Sequence, residues 1–506
     1  MAKLHEYQSK ALLQAAGIET PPSRLVTTPA EAASAAQEFG RVVLKAQVWT
    51  TSRAAQGLIQ FASTPDEAER HASALLGRAI GSFTVDHLLV EAQVGIAREC
   101  YLGIILDDRQ RAPVMIFSSM GGSGIEDIAK AHPDRIARHT IDIATGLRDY
   151  HARDLAIAAG VDSAQISRLS DVMLRLWDVA RTYEARSAEI NPLVLTGDGR
   201  WMALDARTTV DDYAVFRHAD LGIEMAREFD RPPTPLERIA WNVEKDDYRG
   251  TFYFIQMETG FQKGERVIGF MGSGGGGSMM NMDALVSAGF RIADFVDTSG
   301  NPPASKVYRA ARIILSQSGI DGFYAGGSGV ASQEQYLSAR GLVKAFMDAP
   351  LTVPAVIRIG GNGEELAIAT LHDANGAFPA PVEAYGRDAS PEFCTDRLRD
   401  LISHYTPLDA PPARSEPEPA EPYTFDTVTG GTITLDHAVC RTCESKACIT
   451  ACEPQILSLE DGVPVLNITR EDARKGRCTE CLGCEVNCHL YGKGGGRIRL
   501  PIIGLD

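Results

Sequence analysis

Apolar and polar positions follow two different periods along the first part of the chain. Residues 164–185 place apolar side chains at helical spacing, whereas shorter apolar runs are typical of buried strands. The runs that predict strands are residues 41–48, 87–92, 100–106 and 114–118. Three prolines between residues 231 and 236 interrupt the pattern and predict a joint. We therefore predict an α/β domain over residues 1–235.

A strand, a glycine-rich turn and a helical pattern recur between residues 236 and 405. The predicted strands are residues 266–271, 319–324 and 353–358. The glycines that follow them are in Gly272–Gly277, in residues 325–329, and at Gly360, Gly361 and Gly363. The first of the helical patterns starts at Met279. Such a repeat predicts a parallel sheet with ligands at the carboxyl ends of its strands.

The last hundred or so residues differ in composition from the rest of the chain. Residues 406–428 are rich in proline and glutamate, which predicts an extended, solvated linker. Residues 429–506 hold eight of the ten cysteines, and only Cys100 and Cys394 lie elsewhere. Scattered structural disulfides would not cluster in this way, so the cysteines predict a separate, ligand-binding domain.

Length and charge restrict the possible functions. The 506 residues are enough for roughly three domains, and the formal net charge of −16 argues against binding to nucleic acid or an anionic membrane surface. Met1–Gly17 lacks the pattern of a signal peptide. No run of about 18 apolar residues could span a membrane. We expect a cytoplasmic protein without membrane insertion and without a nucleic acid partner.

The cysteines form two runs of four. The first run has the spacing C-x2-C-x4-C-x3-C and the second has C-x2-C-x2-C-x3-C, which is the bacterial two-cluster spacing. In that arrangement the fourth cysteine of a run binds the other cluster. One 4Fe–4S cluster is therefore assigned to Cys440, Cys443, Cys448 and Cys488. The other cluster is assigned to Cys478, Cys481, Cys484 and Cys452.

A zinc site is the alternative interpretation of these cysteines, because C-x2-C pairs also suit a tetrahedral ion. Two complete runs with crossed spacing favour iron–sulfur clusters. Residues 430–506 resemble two-cluster ferredoxins, which implies an α+β domain and an electron-transfer role. The resemblance is imperfect, since the proline that usually follows the fourth cysteine is displaced to Pro454 in the first run and replaced by His489 in the second.

Several strings in the first 405 residues resemble the β subunit of ADP- or GDP-forming succinate–CoA ligases. They are Leu4-His5-Glu6-Tyr7-Gln8 with Lys10, Val43–Val48, Leu89–Ala92, Ala97–Gly103, Glu189–Leu193 and Ala203–Arg207. Their order and spacing agree over ~400 residues, in keeping with a chain of two large domains. The resemblance implies an ATP-grasp domain followed by a flavodoxin-like CoA-ligase domain, and it does not extend to the cysteine-rich segment.

The same resemblance implies roles for individual residues. Lys45 would hold the phosphates of ATP or GTP, and Asn191 and Asp205 would bind Mg²⁺, which prefers oxygen ligands. Arg53, Glu91 and Glu99 match positions near the nucleotide. By family analogy Glu189 faces a phosphohistidine of the partner subunit.

The phosphate loop departs from the family. Where the family has a glycine-rich loop, this chain reads Trp49-Thr50-Thr51-Ser52-Arg53-Ala54-Ala55-Gln56-Gly57, so only Arg53 and Gly57 remain. Side chains prevent the close approach of backbone amides to phosphate that glycine allows. The loop therefore leaves open a changed grip on nucleotide, another nucleotide, or lost turnover. Asp205-Ala206-Arg207 also replaces the family's Asp-Gly-Lys.

The second domain offers a predicted acyl site. Gly272–Gly277 precedes a helix and could bind an anion at its N-terminus, although a flexible turn is an equally simple interpretation. The resemblance implies that residues 325–330 form the helix end that faces the phosphohistidine, with Gly326, Gly327 and Gly329 at the site. Ser273 stands where the family has an asparagine near the carboxylate substrate, so the acid need not be succinate.

Three hypotheses about function follow. The first is an NDP-forming acyl-CoA ligase that works with an α-like, CoA-binding, phosphohistidine-bearing subunit in a hetero-oligomer and carries two 4Fe–4S clusters. The second is an electron-transfer subunit in which nucleotide or acyl-CoA binding gates electron flow to a redox partner protein. The third is a binding scaffold with a degenerate ligase fold, which the retention of Lys45, Glu99, Asn191 and Asp205 disfavours.

Overall fold

The computed structural model describes residues 2–50, 53–80, 83–121, 133–223, 229, 231–247, 251–327, 329–406 and 418–505. Thr51 and Ser52 of the predicted phosphate loop, Ser328 of the second glycine turn and residues 407–417 of the predicted linker lie outside the described residues. The chain divides into two compact units, Met1–Pro233 and Thr234–Asp506.

The helices of the first unit begin where the sequence supplies a cap. Thr28 and Thr64 each accept a hydrogen bond from the amide three residues later and precede a proline, which suits the first helical position. The helices are α1 (Glu6–Ala15), α2 (Pro29–Phe39), α3 (Pro65–Leu75), α4 (Asp149–Ala158) and α5 (Ser163–Thr182). Short 3-10 helices cover Pro133–Arg135, Asp212–Arg217 and Ala219–Leu221. The helix predicted over residues 164–185 is therefore confirmed as α5.

Antiparallel strands make up the sheets of the first unit. They are β1 (Ala2–Lys3), β2 (Ser23–Val26), β3 (Val42–Ala46), β4 (Ile59–Ala62), β5 (Ala79–Ile80), β6 (Phe83–Thr84), β7 (Leu88–Ala92), β8 (Ile96–Asp107), β9 (Ala112–Ser118), β10 (Ile136–Thr140), β11 (Ala185–Thr196), β12 (Trp201–Ala203) and β13 (Ala206–Val210). One sheet runs β1-β13-β11-β8-β9-β10 with β12 on β11, and a smaller sheet runs β2-β7-β3-β4. The strands predicted from the apolar runs are confirmed as β3, β7, β8 and β9.

Each sheet of the first unit has its own hydrophobic core. Helices α4 and α5 cover the larger sheet, where Leu102, Phe117 and Leu176 are buried. Helices α2 and α3 cover the smaller sheet, where Leu44 and Leu88 are buried. Strands β3 and β7 are hydrogen-bonded neighbours and carry Lys45 and Glu91. These two side chains contact α1, on the face of the sheet that α2 and α3 do not cover.

The second unit begins with α6 (Pro235–Lys245), directly after the prolines that predicted a joint. Its other helices are α7 (Gly275–Ser287), α8 (Ala304–Leu315), α9 (Gln335–Asp348), α10 (Glu364–Ala374), α11 (Pro391–His404), α12 (His437–Arg441), α13 (Ala447–Thr450), α14 (Arg470–Asp472) and α15 (Gly483–Tyr491). A 3-10 turn covers Asn375–Ala377 and a π-type turn covers Ala473–Arg477. A Cβ on Gly341 would lie 2.5 Å from the Ala304 carbonyl, so this glycine permits the close packing of α8 on α9.

The predicted parallel sheet is confirmed. Its strands are β14 (Tyr253–Gln256), β15 (Val267–Ser273), β16 (Arg291–Ile292), β17 (Asp294–Asp297), β18 (Gly322–Gly327), β19 (Ala355–Arg358) and β20 (Val382–Tyr385). The order is β14-β17-β15-β18-β19-β20, with β16 beside β15, and only β14 among the described strands of this sheet runs antiparallel to its neighbour. The carboxyl ends of β15 and β18 therefore lie side by side, as the glycine turns predicted.

The cysteine-rich segment packs within the second unit. It contains the sheet β21 (Pro422–Asp426), β22 (Thr432–Asp436) and β25 (Gly496–Arg499), and the hairpin β23 (Leu457–Glu460) and β24 (Val463–Leu466). Residues 422–426 were predicted as linker, and this prediction is wrong, because they pair with β22 and bury Phe425. Phe346 of α9 and Val486 of α15 belong to one hydrophobic cluster, so the segment shares a core with the parallel-sheet part.

None of the helices in the described part of the chain is both long enough and apolar enough to cross a membrane.

Candidate functional site

A buried network of charged side chains surrounds Lys45 in the first unit. The Lys45 ammonium lies 2.8 Å from Glu6 Oε1 and also pairs with Glu91 Oε2. Lys10 binds the same two carboxylates, at 2.9 Å from Glu6 Oε1. Lys45 is 7% exposed and Glu91 is 2% exposed. The structure therefore brings two predicted nucleotide residues together, but as partners of each other beneath the surface.

Arg53 closes this network on the side of the predicted phosphate loop. Its guanidinium lies 2.6 Å from Glu6 Oε2 and 2.8 Å from Asp205 Oδ2, and it donates to the Ala46 carbonyl at 3.1 Å. Burial opposes charge on Arg53, but the carboxylates of Glu6 and Asp205 outweigh it and raise the pKa of Arg53. Arg53 thus links the predicted nucleotide residues to a predicted magnesium ligand.

The charges of the network stabilise one another's ionised forms. Burial alone would raise the pKa of Glu6, but Lys10, Lys45 and Arg53 hold it well below its usual range. Burial alone would lower the pKa of Lys45, but Glu6 and Glu91 raise it. Buried ion pairs tolerate the loss of one partner poorly, because the remaining charge is uncompensated. The network therefore holds its side chains in fixed positions. We call it the floor, because it lies beneath the space where a ligand would bind.

A cavity of about 230 Å³ lies above this floor, within the first unit. The residues that line it include His5, Glu6, Trp49, Arg53, Glu189, Asp205 and Arg207. The Trp49 indole stacks on His5 with ring centroids 5.1 Å apart. Burial, with the nearby His87 and Arg53, lowers the pKa of His5 to about 4, so this ring is neutral at pH 7. The Trp49 side chain thus forms an aromatic wall of this cavity.

The two predicted magnesium ligands are backbone neighbours, and Asp205 lines this cavity. The Asn191 amide donates to the Asp205 carbonyl at 3.2 Å, and the Leu204 amide donates to the Pro192 carbonyl at 3.1 Å. Asp205 Oδ2 accepts from Arg53, whereas its Oδ1 is buried and has no hydrogen-bond partner among the described residues. A buried carboxylate oxygen without a donor fits a cation ligand, because buried polar atoms are otherwise paired.

Glu189 and Glu99 have different surroundings. Glu189 lines the cavity, opposite Arg207 on the neighbouring strand β13. Burial raises the pKa of Glu189 and the charge of Asp205 adds to this, while Arg207 opposes it. Glu99 is exposed on β8 and belongs to neither the charge network nor the lining of the cavity. The structure therefore places Glu189 at the site and Glu99 away from it.

Sequence reasoning missed the roles of Glu6, Lys10, His5 and Trp49. Glu6 contacts Lys45 and Arg53, and Lys10 contacts Glu91, so both complete the network. The opening string from Leu4 to Lys10 held this signal, since a glutamate and a lysine four residues apart share one helix face. It served only as a family marker. No local pattern could show which strand that face meets.

In the second unit, the first glycine turn leads into α7. The helix begins at Gly275, four residues earlier than predicted, so Gly275, Gly276 and Gly277 form its first turn. Gly274 has φ 86°, and its amide donates to Asp297 Oδ1 at 3.1 Å. A Cβ added to Gly274, Gly275 or Gly276 would meet nothing within 4 Å. The N-terminus of α7 is therefore open to an anion.

The described residues of the second glycine turn, 325–327 and 329–330, form no helix end. Residues up to Gly327 continue β18, and α9 begins only at Gln335, after Glu334. The prediction that residues 325–330 carry the positive end of a helix is therefore wrong. The chain stays extended there because Gly326 and Gly327 pair in register with Gly272 and Ser273 of β15.

The predicted substrate residues lie where β15 and β18 end. A Cβ on Gly327 would lie 2.2 Å from Ser273 Oγ, so a side chain there would have to displace the Ser273 hydroxyl. Arg358 donates to the Gly327 carbonyl at 2.8 Å. A cavity of about 40 Å³ is lined by Ser273, Gly326, Gly327 and Arg358 among others. Gly329, with φ 79°, lies against Arg358 and Arg387. The structure thus brings Ser273, Gly326 and Gly327 together around a small pocket.

The eight cysteines of the C-terminal segment are all buried, and none forms a disulfide. Their mutual electrostatic influence divides them into two sets. Burial raises the pKa of Cys448 to about 12, and the nearby thiols that add to this are Cys488, Cys440 and Cys443. Burial raises the pKa of Cys484 well above its usual value, and the nearby thiols are Cys481, Cys478 and Cys452. These are the two sets that the crossed spacing predicts.

Backbone amides point at several of the sulfurs. The Gln455 amide donates to the Cys452 carbonyl at 2.9 Å, and with the Ile456 and Leu457 amides it opposes the effect of burial on the pKa of the Cys452 thiol. The Glu480 amide acts in the same way on the pKa of the Cys478 thiol. For Cys443, hydrogen bonds from Ser445 and Lys446 outweigh burial and lower the thiol pKa. Left-handed residues occur at Lys446, Gln455, Glu480 and Leu482. Loops that turn their amides inward in this way are typical of anion- and cluster-binding nests.

The described residues contain no group of three or more His, Cys, Asp or Glu side chains arranged to hold a metal ion. A zinc site requires four ligands that converge on one ion. In a 4Fe–4S cluster each thiolate binds a different iron, so the sulfurs surround a larger volume.

Comparison with known proteins extends this picture. Residues 3–195 match the family described as an ATP-grasp domain. The succinate–CoA ligase [GDP-forming] subunit beta of Thermus thermophilus is 36% identical over 365 residues, which are 72% of this chain and 92% of the relative. The ADP-forming subunit beta of Deinococcus radiodurans is 33% identical over 378 residues, or 74% of this chain and 93% of the relative.

A solved structure shows the same fold. ATP citrate lyase from Methanothrix soehngenii, in complex with citrate and coenzyme A, superimposes with a TM-score of 0.62 at 18% identity. The alignment covers 79% of this chain and 99% of that chain. An ATP-grasp unit and a parallel α/β unit with these relatives define an NDP-forming acid–thiol ligase. The chain belongs to the family of succinate–CoA ligase β subunits.

Proposed function

We propose that the chain is the β-type subunit of an NDP-forming acyl-CoA ligase that also carries two 4Fe–4S clusters for electron transfer. The ligase would join a carboxylic acid and CoA at the expense of ATP or GTP, reversibly, through a phosphohistidine on a partner subunit. The observation that carries the redox half is the division of eight buried thiols into two sets of four.

The cavity above the charge network supports the nucleotide half. Its floor presents Arg53 and Asp205, and its wall carries Glu189. Mg²⁺ would be held by Asn191 and by the unpartnered Oδ1 of Asp205, where it would neutralise phosphate charge. Lys45 lies 2.8 Å from Glu6, so its proposed role is to neutralise the carboxylates of the floor beneath the phosphates rather than to grip phosphate alone.

The turn of β15 into α7 supports the acyl half. Ser273 and Gly327 narrow the pocket, and the open N-terminus of α7 offers backbone amides to an anion. A carboxylate or a phosphoryl group would suit this position. The acid would be selected in part by Ser273 and Arg358, because they are among the polar side chains that line the pocket beside the glycines.

The clusters would be held by the two sets of cysteines in the crossed assignment. Thiolates are soft ligands for iron–sulfur cores, and the amides of Gln455, Ile456 and Leu457 would stabilise the sulfur charge at Cys452. The clusters would supply one-electron transfer to or from a redox partner protein.

A second candidate function is an electron-transfer subunit in which nucleotide or acyl-CoA binding gates electron flow and ligase turnover is reduced or lost. The specific observation in its favour is the first cavity, where Trp49 stands in place of a glycine loop and stacks on His5. An aromatic wall can hold a nucleotide without bringing backbone amides to its phosphates.

The test is anaerobic purification of the full chain with its native partners. We expect acid- and CoA-dependent NTP hydrolysis that requires Mg²⁺, together with about eight iron and eight sulfide per chain, four of each per cluster. Asp205→Asn should weaken Mg-nucleotide binding by at least about tenfold and leave the iron content unchanged. Zinc in place of iron would refute the redox half, and nucleotide binding without hydrolysis would favour the second candidate.

A further inference from the structure

Three buried cations of the parallel-sheet part reach into the cysteine-rich segment. Arg340 of α9 lies 3.3 Å from Glu453, Lys344 of α9 lies 2.8 Å from Glu485, and Arg309 of α8 lies 3.9 Å from Glu480. Arg309 also donates to Thr429 Oγ1 at 2.7 Å, and Thr429 donates to Glu480 at 2.7 Å. The exposure of these cations is 6% for Arg309, 6% for Arg340 and 2% for Lys344.

Each of the three carboxylates adjoins a cysteine of the same set. Glu453 follows Cys452, Glu480 lies between Cys478 and Cys481, and Glu485 follows Cys484. All four of these cysteines belong to one set, called the second set, which consists of Cys478, Cys481, Cys484 and Cys452. The first set consists of Cys440, Cys443, Cys448 and Cys488. The cations therefore neutralise carboxylates around one proposed cluster.

The other set has a different electrostatic environment. Arg441, beside Cys440, pairs with Glu421, and both side chains are about half exposed. Lys446 donates to the carbonyls of Cys440 and Gly462. These cations come from the cysteine-rich segment itself, and water screens the exposed pair. The first set is thus not tied to α8 or α9 by these contacts.

Close packing fixes the second set against α9. A Cβ on Gly483 would lie 2.2 Å from the Ala451 carbonyl and 3.1 Å from Arg340 Nη1. Gly483 directly precedes Cys484 at the start of α15. Arg340 therefore lies against the backbone turn that carries a proposed cluster ligand, where little space is left for water.

Reduction adds one negative charge to a cluster, so nearby buried cations favour the reduced form. We propose that Arg309, Arg340 and Lys344 are positioning residues that keep the reduction potential of the second-set cluster higher than the three adjoining carboxylates would set it if they were unpaired. This inference rests on the cluster content proposed above.

The test is a redox titration of the anaerobically purified full chain, followed by electron paramagnetic resonance. In Lys344→Met and in Arg340→Gln, the ratio of reduced to oxidised second-set cluster at a fixed ambient potential should fall about tenfold. Lys344→Arg should retain the wild-type ratio. Arg441→Gln, beside the first set, should leave the second-set signal unchanged. Cys478→Ser and Cys443→Ser identify which signal belongs to which set.

A charge-balanced variant separates electrostatics from loss of structure. Lys344→Met/Glu485→Gln removes the cation together with its carboxylate, so the ratio should return to near the wild-type value. Unchanged ratios in both single variants, at full iron content, would overturn the inference, as would a shift confined to the first-set cluster. Absence of iron from the wild-type chain would instead overturn the proposed function on which it rests.

Discussion

At the scale of single residues, the first unit depends on a compact group of opposite charges under its cavity. The Glu6 carboxylate forms ion pairs with Lys10, Lys45 and Arg53, and it is buried among these three cations. Three cations sharing carboxylates in this way would be unstable if any member were alone, since burial strongly disfavours an isolated charge. The position of Lys45 is therefore set by its neighbours before any ligand binds.

We predict that Lys45→Ala destabilises the first unit by about 3–5 kcal/mol, because it leaves Glu6 and Glu91 with one cation fewer in a buried site. Urea unfolding of the full chain, followed by tryptophan fluorescence, measures this change. Arg200→Gln is the matched control, since Arg200 and Glu19 form an exposed pair and should contribute little. Lys45→Met/Glu91→Gln should recover most of the lost stability, and equal effects of Lys45→Ala and Arg200→Gln would contradict the prediction.

At the scale of elements, short helices and left-handed turns arrange the cysteines. Cys448 lies within α13, while Cys452 follows that helix. The amides of Gln455, Ile456 and Leu457 oppose the effect of burial on the pKa of the Cys452 thiol. The end of α13 thus separates two cysteines of one run. The chain turns between them, so Cys452 approaches Cys481 whereas Cys448 approaches Cys488.

We predict that Cys452→Ala removes the cluster of the second run and that Cys448→Ala removes the cluster of the first. In each variant the iron content should fall from about eight to about four per chain. The remaining electron paramagnetic resonance signal should differ between the two variants. Cys394→Ala is the control, because Cys394 is buried in α11 away from both sets. If both variants lose the same signal, the crossed assignment is wrong.

At the scale of the whole molecule, the chain holds parts of a phosphoryl-transfer reaction without a carrier. The family reaction passes phosphate from nucleotide to a histidine and then to the acyl group. Among the histidines that the structure describes, none stands in a small-residue loop that could swing between sites. His5 lines the nucleotide cavity, but it is stacked between Tyr7 and Trp49 with a pKa of about 4. The stacking holds this ring in place, which argues against a carrier that moves between sites.

We predict that the partner-free chain makes no acyl-CoA and that activity appears on addition of an α-like, CoA-binding subunit with a phosphohistidine. The measurement is acyl-CoA formation by the purified chain with NTP, Mg²⁺, acid and CoA, before and after addition of the partner. His5→Gln should leave the partner-dependent rate measurable if His5 is not the carrier. Steady-state synthesis by the isolated chain, or phosphate on one of its own histidines, would refute the prediction.

The sequence by itself determined the features that local pattern controls. Apolar runs specified β3, β7, β8 and β9, glycine turns after apolar strands specified the parallel sheet, and cysteine spacing specified two sets of four thiols. The limits of this information appear where the prediction failed. Residues 325–330 were predicted as a helix end, but strand pairing with β15 keeps Gly326 and Gly327 extended. Residues 422–426 had a linker composition, yet β22 and a buried Phe425 make them a strand.

Only the tertiary structure decided which distant residues meet. Lys45 and Glu91 both matched nucleotide positions, but the pairing of β3 with β7 and the packing of α1 made them buried partners of Glu6 and Lys10. The same holds for Arg340 and Lys344. In the sequence they are two cations of a predicted helix, and only the packing of α9 against the cysteine-rich segment pairs them with Glu453 and Glu485. Spacing along the chain fixes which residues share a face, whereas burial against another element decides what that face binds.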